Sequence, residues 1–305
     1  MKKNDTLVIG VFYPGIEKYI NKYIQSIQNQ TYSNFDWLII FDNFNTEKIF
    51  NSINKEIIIK KVYEKLTPSQ IRQIGIKYSV DNGYKNLIFT DSDDYYSKNR
   101  FEKIVKGLIK SDFVYNELDI VNDKNILLKN DYLSSLYIKE KCENYQYLLD
   151  NNFFGLTNSS VRVEKIKGIN IPDDIIAVDW WIFTLLLLNG CNGKFIKVAK
   201  SYYRQSSDNL VGVGKQLDEK RLQMGINVKI IHYKDVKIYC DKNKLIRERG
   251  IYNNKLDEML ELKNKIENPI FRKSYIDVIN NNFDKIFKGW WSEILPINKW
   301  RKYAK

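Results

Sequence analysis

Residues 86–96 read NLIFTDSDDYY, a short apolar run that ends in three carboxylates within four positions, Asp91, Asp93 and Asp94. Like charges at that density repel, and a solvated turn does not need three of them. Two readings compete. One is an exposed, helix-capping turn in an Asp-rich chain. The other is a cation platform. An Asp-x-Asp at the end of a strand sets two side chains on one side of the backbone. Two carboxylates can hold Mg²⁺ or Mn²⁺ and leave positions for phosphate oxygens.

The flanking sequence bears on that choice. Upstream, LVIGVF (7–12), FDWLIIFDN (35–43) and EIIIKKVY (56–63) read as strands. Ile16, Ile20, Tyr23, Ile24 and Ile27 recur at helical spacing between the first two. Thr67 before Pro68 suits an N-cap followed by a first-turn proline, and the helix it opens should stop near Gly83. NLIFTD is then a fourth strand, residues 98–110 a helix, and FVYNELDIV (113–121) another strand. Strands alternating with helices predict an α/β fold with a mostly parallel sheet flanked by helices. Ligands of such sheets bind outside the carboxyl ends of strands, where Asp42 and Asp91 fall.

Beyond residue 120 the pattern loosens. Residues 151–163 suggest a strand and turn, 178–190 a buried helix with a glycine stop, and 193–205 an extended segment. From Lys215 the chain reads as helical and Lys- and Asn-rich. The net charge of +12 is uneven: residues 215–305 carry 21 basic and 12 acidic side chains, whereas 1–214 carry 28 and 25. This predicts a domain over 1–214 and a helical, basic C-terminal region over 215–305. The 44% hydrophobic content and only 19 Gly plus Pro exclude a disordered chain. Three scattered cysteines and one histidine disfavour a Cys/His metal site and point to a reducing compartment, the cytoplasm. The N-terminus lacks a signal-peptide pattern, and WWIFTLLLL (180–188) is too short to span a membrane.

The segments LVIGVFYPGIEKYINKYIQSIQNQTYSNFDWLIIFDN and TPSQIRQIGIKYSVDNGYKNLIFTDSDDYY, in this order and spacing, resemble glycosyltransferase family 2. These are nucleotide-sugar-dependent enzymes of the GT-A, Rossmann-like fold, and the resemblance covers roughly residues 5–214. It implies an inverting transfer from a nucleoside-diphosphate sugar donor, with Mn²⁺ or Mg²⁺ as cofactor. It also implies roles: Asp42 at the nucleotide base, Arg72 beside the nucleotide, Asp91 near ribose and metal, Asp93 as direct metal ligand, and Asp94 as loop support. Two departures stand out. The chain has Phe41-Asp42-Asn43-Phe44 where the family pattern has Asp-Asp-Gly-Ser, and Gln73 follows the arginine where Asn is common.

An inverting transfer needs a general base, and a carboxylate beside apolar side chains has its pKa raised towards a useful range. Asp179 in AVDWWIF resembles the family's Glu-Asp-Trp motif, with Val178 in place of the first acid. A first-turn aspartate favoured by the helix dipole is the plain alternative, and Asp173 and Asp174 are rivals. Trp180 and Trp181 would stack on an acceptor sugar, unless they are core. YYRQSSDNLVG (202–212) resembles a Tyr-Arg-Gln-His stretch of rhamnosyltransferase-like members, with Ser206 at the histidine position. There Arg204 would contact the diphosphate, Gln205 and Asn209 would order a loop, and Gly212 and Gly214 would let it move. Asn158 and Ser159 are weaker acceptor-site candidates.

KGWWSEILPINKWRKYAK (288–305) mixes Trp290, Trp291 and Trp300 with cations, a composition suited to peripheral contact with the inner face of a membrane. A glycan or lipid-linked acceptor in surface polysaccharide synthesis would fit such docking. A packed amphipathic helix fits the same residues. No nucleic-acid module is recognisable. A nucleotidyltransferase would want a Gly-rich, Lys-bearing loop after the first strand, which VFYPGIEKY does not supply. A non-catalytic basic protein binding membrane or nucleic acid is the remaining alternative. The co-occurrence of Asp91, Asp93, Arg72 and Asp179 argues against it.

Overall fold

Parallel strands buried on both faces need continuous apolar runs, and the first two strands have them. β1 (Thr6–Phe12) is buried throughout, as is β2 (Phe35–Asp42) up to its last residue. The computed structural model of the protein describes residues 2–44, 53, 56–136, 138–205 and 216–304. The expected loop positions Ser206, Asn209, Gly212 and Gly214 lie outside the described residues. The remaining elements, in chain order after α1 (Glu17–Gln28) and β2, are β3 (Ile57–Val62), α2 (Pro68–Asp81), β4 (Asn86–Phe89), β5 (Tyr95–Tyr96), α3 (Arg100–Leu108), β6 (Phe113–Asn122), β7 (Leu127–Lys129), α4 (Tyr132–Ser135), β8 (Lys141–Cys142), β9 (Ser159–Arg162), α5 (Val163–Ile166), α6 (Val178–Leu188) and β10 (Gly193–Gln205). The helices α7 (Glu219–Lys242), α8 (Ile246–Lys265), α9 (Pro269–Asn281), α10 (Phe283–Ile286) and α11 (Ile297–Trp300) complete the chain.

The chain forms two compact units. The first comprises 1–145, 154–171 and 182–208; the second comprises 146–153, 172–181 and 209–305. Nothing in the sequence reading had singled out 146–153 or 172–181 as partners of the C-terminal region.

The first unit holds one sheet in the order β3-β2-β1-β4-β9-β6-β10-β5, with β7 added to β6 and β8 to β10. β3, β2, β1 and β4 are mutually parallel. Antiparallel β9 then joins β4 to β6, and β10 runs parallel to β6. The parallel expectation therefore holds for the N-terminal half, and the looser second half gives a mixed sheet. α1 lays Tyr19, Ile20, Tyr23, Ile24 and Ile27 into the core as its periodicity predicts. α2 opens with Thr67 and Gln70 as a reciprocal capping box, and Pro68 fills its first turn. The partly exposed edge strand β3 carries Lys60 and Lys61, charges that discourage pairing with another chain.

The second unit is helical. Its C-terminal segment is folded inward: Trp290 and Asn152 exchange backbone hydrogen bonds (2.8 and 2.9 Å), and Trp300 stacks on Tyr275. Trp290, Trp291 and Trp300 are all buried, so the aromatic half of the expected membrane-contact motif belongs to this core. Lys288, Arg301 and Lys302 remain exposed. The three cysteines are buried free thiols. Among the described residues no helix is long and apolar enough to cross a membrane.

Candidate active site

β1 lies between β2 on one side and β4 on the other, so the connections leave it in opposite directions. That is the switch point where a crevice opens at the strand ends. Register fixes what lines it. Phe12 of β1 pairs with Phe41 of β2, and Ile9 pairs with Phe89 of β4. Asp42, Tyr13 and the Asp91–Asp94 turn therefore follow the carboxyl ends of three adjacent parallel strands.

The acidic stretch is a turn and not a continued strand. β4 stops at Phe89, and the amide of Asp94 donates to the carbonyl of Asp91 (3.2 Å). Simple strand alternation thus does not explain the pairing of Asp91 with Asp93; the turn does. It is pinned from several sides. Thr90 Oγ1 donates to Ile9 O (2.6 Å), and Ser92 Oγ donates to Val11 O. Tyr96 Oη accepts from the amide of Asp91 (2.8 Å) and donates to its carbonyl (3.1 Å). Tyr23 Oη meets Thr90 Oγ1 at 2.7 Å, which requires Gly10 beneath it: a Cβ there would lie 2.2 Å from the Tyr23 hydroxyl.

The three acids separate by environment. Asp91 is paired with Arg72, whose Nη2 lies 2.7 Å from Asp91 Oδ1. Asp94 is 1% exposed; its Oδ1 accepts from the amide of Arg204 (2.7 Å), and burial, then the charges of Asp93 and Asp91, push its carboxyl well up. Asp93 is pushed up to about 6, first by burial and then by the charge of Asp91. Among the described residues no other residue donates a hydrogen bond to the Asp93 carboxylate. Its charge is the one left for a cation to satisfy.

Arg204, the expected diphosphate contact, is held by the protein itself. Its guanidinium is buried and donates to Asp93 O (Nε, 2.7 Å), Asn122 O and Asp123 O (Nη1, 3.1 and 3.2 Å) and Asn125 Oδ1 (Nη2, 2.9 Å). It ties the acidic turn to the β6–β7 hairpin. Asp42, half-buried at the end of β2, accepts from Asn43 Nδ2 (3.0 Å). Gln73, the departure from the family pattern, accepts from the amide of Ile171 (2.9 Å) and so holds the segment after β9.

Asp179, Trp180 and Trp181 belong to the second unit. Asp179 is half-buried in the first turn of α6, and its Oδ1 accepts from the Trp180 amide (2.7 Å). The Trp180 indole is fully buried: Nε1 donates to Leu148 O (2.8 Å) and the ring stacks on His232 at 4.0 Å. Trp181 is 3% exposed and meets Tyr239 edge-on. Neither ring offers an open face. Asn158 and Ser159 are likewise fully buried.

Two supports were missed in the sequence. Tyr13, the residue after β1, is exposed at that strand end, and its phenol is pushed up, first by partial burial and then by the charges of Asp93 and Asp91. Its position at a strand end was the available signal. Arg100 is fully buried behind the turn and bonds Asn116 Oδ1 (2.8 Å), Phe89 O (3.2 Å) and Thr157 O (3.0 Å). In sequence it is one of several cations in the 98–110 helix.

Among the described residues no three His, Cys, Asp or Glu side chains converge as a self-sufficient metal cage. An unpaired carboxylate beside a paired one is a small, hard oxygen donor set. It fits Mg²⁺ or Mn²⁺ completed by phosphate oxygens and does not fit a structural transition-metal site.

The profile of the family described as Glycosyl transferase family 2 matches residues 7–169. A protein of Haemophilus influenzae named as an uncharacterized glycosyltransferase is 27% identical over 216 residues, spanning 68% of this chain and 80% of the relative. Among solved structures, the Staphylococcus aureus TarS fragment 1–349 in complex with UDP-GlcNAc aligns with a TM-score of 0.54 at 17% identity, over 75% of this chain and 66% of that fragment. The mannosyltransferase PcManGT of Pyrobaculum calidifontis, in complex with GDP-Man and Mn²⁺, aligns with a TM-score of 0.53 at 11% identity, over 99% of this chain and 86% of its own.

Proposed function

Because the chain belongs to glycosyltransferase family 2, and is therefore a sugar-transferring enzyme of GT-A fold, we propose that it moves a sugar from a nucleoside-diphosphate donor to a hydroxyl of a glycan or lipid-linked acceptor, with inversion. The observation that carries this reading is the gathering of Arg72, Asp91 and Asp93 at the switch point of the parallel strands. Of the fold relatives, TarS was solved in complex with UDP-GlcNAc and PcManGT with GDP-Man and Mn²⁺, which supports the same donor class and cofactor here.

In this reading Asp42 and Tyr13 receive the nucleoside. Arg72 holds Asp91 in place and adds positive charge near the diphosphate. Asp93, with Asp91, holds the divalent cation. Bound there, Mn²⁺ or Mg²⁺ supplies Lewis-acid neutralisation of the departing nucleoside diphosphate. Asp179 is the proposed base: it takes the proton of the acceptor hydroxyl as that oxygen forms its bond to the anomeric carbon, while the bond to the diphosphate oxygen breaks on the opposite face. Arg204 is proposed as a positioning residue that shapes the turn carrying Asp93. Trp180 is proposed as support for the first turn of α6. Synthesis of a surface polysaccharide precursor, at the cytoplasmic face of a membrane, is the proposed setting.

The test is a melting-temperature panel of nucleoside diphosphates and nucleotide sugars, with and without Mn²⁺, on wild type and Asp93→Ala. One nucleotide family is expected to raise the wild-type melting temperature in Mn²⁺ only. Asp93→Ala is expected to lose that shift. A wild type blind to every nucleotide, or a shift that survives in Asp93→Ala, overturns the reading.

A further inference from the structure

The hairpin between β6 and β7 exposes Ile126, Leu127 and Leu128 at 56%, 54% and 56%. Among the described residues this is the one run of three consecutive, exposed, large aliphatic side chains; the others are scattered singly. Successive side chains of a strand point to opposite faces, so the ribbon is apolar on both faces. A flat protein partner would cover only one of them. A lipid interface receives both.

The charge around the hairpin has the matching sign. Lys124 and Lys129 flank the apolar run and are exposed. From α1, Lys18 and Lys22 are exposed over the rings of Tyr19 and Tyr95. The acids nearby are Asp123, which accepts from Tyr19 Oη, Asp119 and Asp131, which share Lys200 (2.9 and 3.1 Å), and Glu17, which accepts from the amide of Gly15 (2.9 Å); against these four, Lys200 and the four lysines above leave a small positive excess. The hairpin is also braced. Asn122 Oδ1 accepts from the amides of Lys124 and Ile126, and Arg204 grips Asn122, Asp123 and Asn125.

We infer that residues 124–129 form a rigid membrane-docking hairpin that inserts Ile126, Leu127 and Leu128 into the interface of an anionic lipid bilayer, with Lys18, Lys22, Lys124 and Lys129 against the headgroups. Arg204 joins this hairpin directly to the turn bearing Asp93, so docking would orient the strand-end crevice relative to the lipid surface. This surface is distinct from the C-terminal segment, whose tryptophans are buried.

The full-length chain should co-sediment with vesicles of phosphatidylglycerol and phosphatidylcholine, bind pure phosphatidylcholine far less, and lose binding as salt rises. Ile126→Ser/Leu127→Asn/Leu128→Ser should lower partitioning at least about tenfold, and Lys124→Gln/Lys129→Gln about threefold or more. Both should keep the wild-type melting temperature, while Arg301→Gln/Lys302→Gln should bind as wild type does. As a second readout, Leu127→Cys labelled with bimane should shift its emission to the blue on anionic vesicles; the native thiols are buried. Three results overturn the inference: no vesicle binding by wild type, binding that depends on Arg301 and Lys302 but not on the hairpin, or a hairpin-dependent dimer in place of lipid binding.

Discussion

Arg72 Nη2 lies 2.7 Å from Asp91 Oδ1, joining α2 to the turn that follows β4. The pair is partly solvated, with 19% and 25% side-chain exposure, so it adds little to stability. Its consequence is local: one acid of the Asp-x-Asp is neutralised and oriented while Asp93 keeps its charge. Arg72→Gln is therefore expected to leave the urea midpoint nearly unchanged and to raise the donor KM about tenfold, the scale of one charge-assisted hydrogen bond. Arg72→Lys should rescue only part of this, because an ammonium lacks the planar fork. An unchanged donor KM in Arg72→Gln would remove Arg72 from the site.

Arg204 tests a different idea. As a diphosphate ligand, its loss would weaken donor binding and spare the fold. As a brace, its loss leaves the partly buried carbonyls of Asp93 and Asp123 without this donor, and Asn122 O with only the Asn125 amide. Arg204→Met is expected to lower stability by roughly 2–4 kcal/mol and donor affinity with it. Urea denaturation read beside donor titration separates the two: lost affinity at unchanged stability would restore the diphosphate role.

The N-terminal half was legible because period and punctuation coincide there. Thr67-Pro68 does open α2, and the apolar runs of β1 and β2 are buried strands. The placing of Asp42 and Asp91 at strand ends was legible for the same reason, since strand ends are marked by where apolar runs stop. What Arg204 and Arg100 do was not legible. Both make contacts with residues tens of positions away, and a basic side chain in sequence looks the same whether it faces phosphate or buried carbonyls. The C-terminal tryptophans were ambiguous for a related reason: an aromatic-cationic composition suits both an interface and a core, and only the long-range pairing of Trp290 with Asn152 decides.

Asp179→Asn keeps the size of the side chain and removes its basicity. If Asp179 takes the acceptor proton, kcat should fall about 10²–10⁴-fold, while the donor-induced rise in melting temperature persists. Asp173→Asn and Asp174→Asn should leave kcat within about threefold of wild type, since effects below the general-base range do not mark a base. Intact turnover in Asp179→Asn, measured with a competent acceptor, would transfer the role elsewhere.

His232 makes the second unit acid-sensitive. Its ring is buried against Trp180, and neither nitrogen has a hydrogen-bond partner among the described residues. Burial, aided by the charge of Lys229, pulls its pKa down to about 3 from an ordinary 6.5. A folded-state pKa below the unfolded one means that the folded state resists the proton. The contribution to stability is therefore complete above about pH 6.5 and is lost as pH falls towards 3, by at most about 1.4 kcal/mol per pH unit. Other groups of this unit titrate elsewhere or with the opposite sign. Lys229, pulled down to about 8 by burial, acts in the alkaline range. Asp150 resists burial because Lys229, Lys255 and Lys299 hold it at about 2, so its stabilisation is lost only below the ordinary carboxylate range. Asp235, pushed up to about 6 by burial and then Asp174, favours the fold as pH drops to about 4. All three persist in His232→Phe, which keeps a ring on Trp180 and removes the titration. Urea midpoints of the two proteins should converge near pH 7 after correction for packing, and separate steadily down to pH 4.5 with the variant less acid-sensitive. Parallel curves across that range would show that the His232 ring takes up its proton without penalty, and would remove it as the source of acid lability.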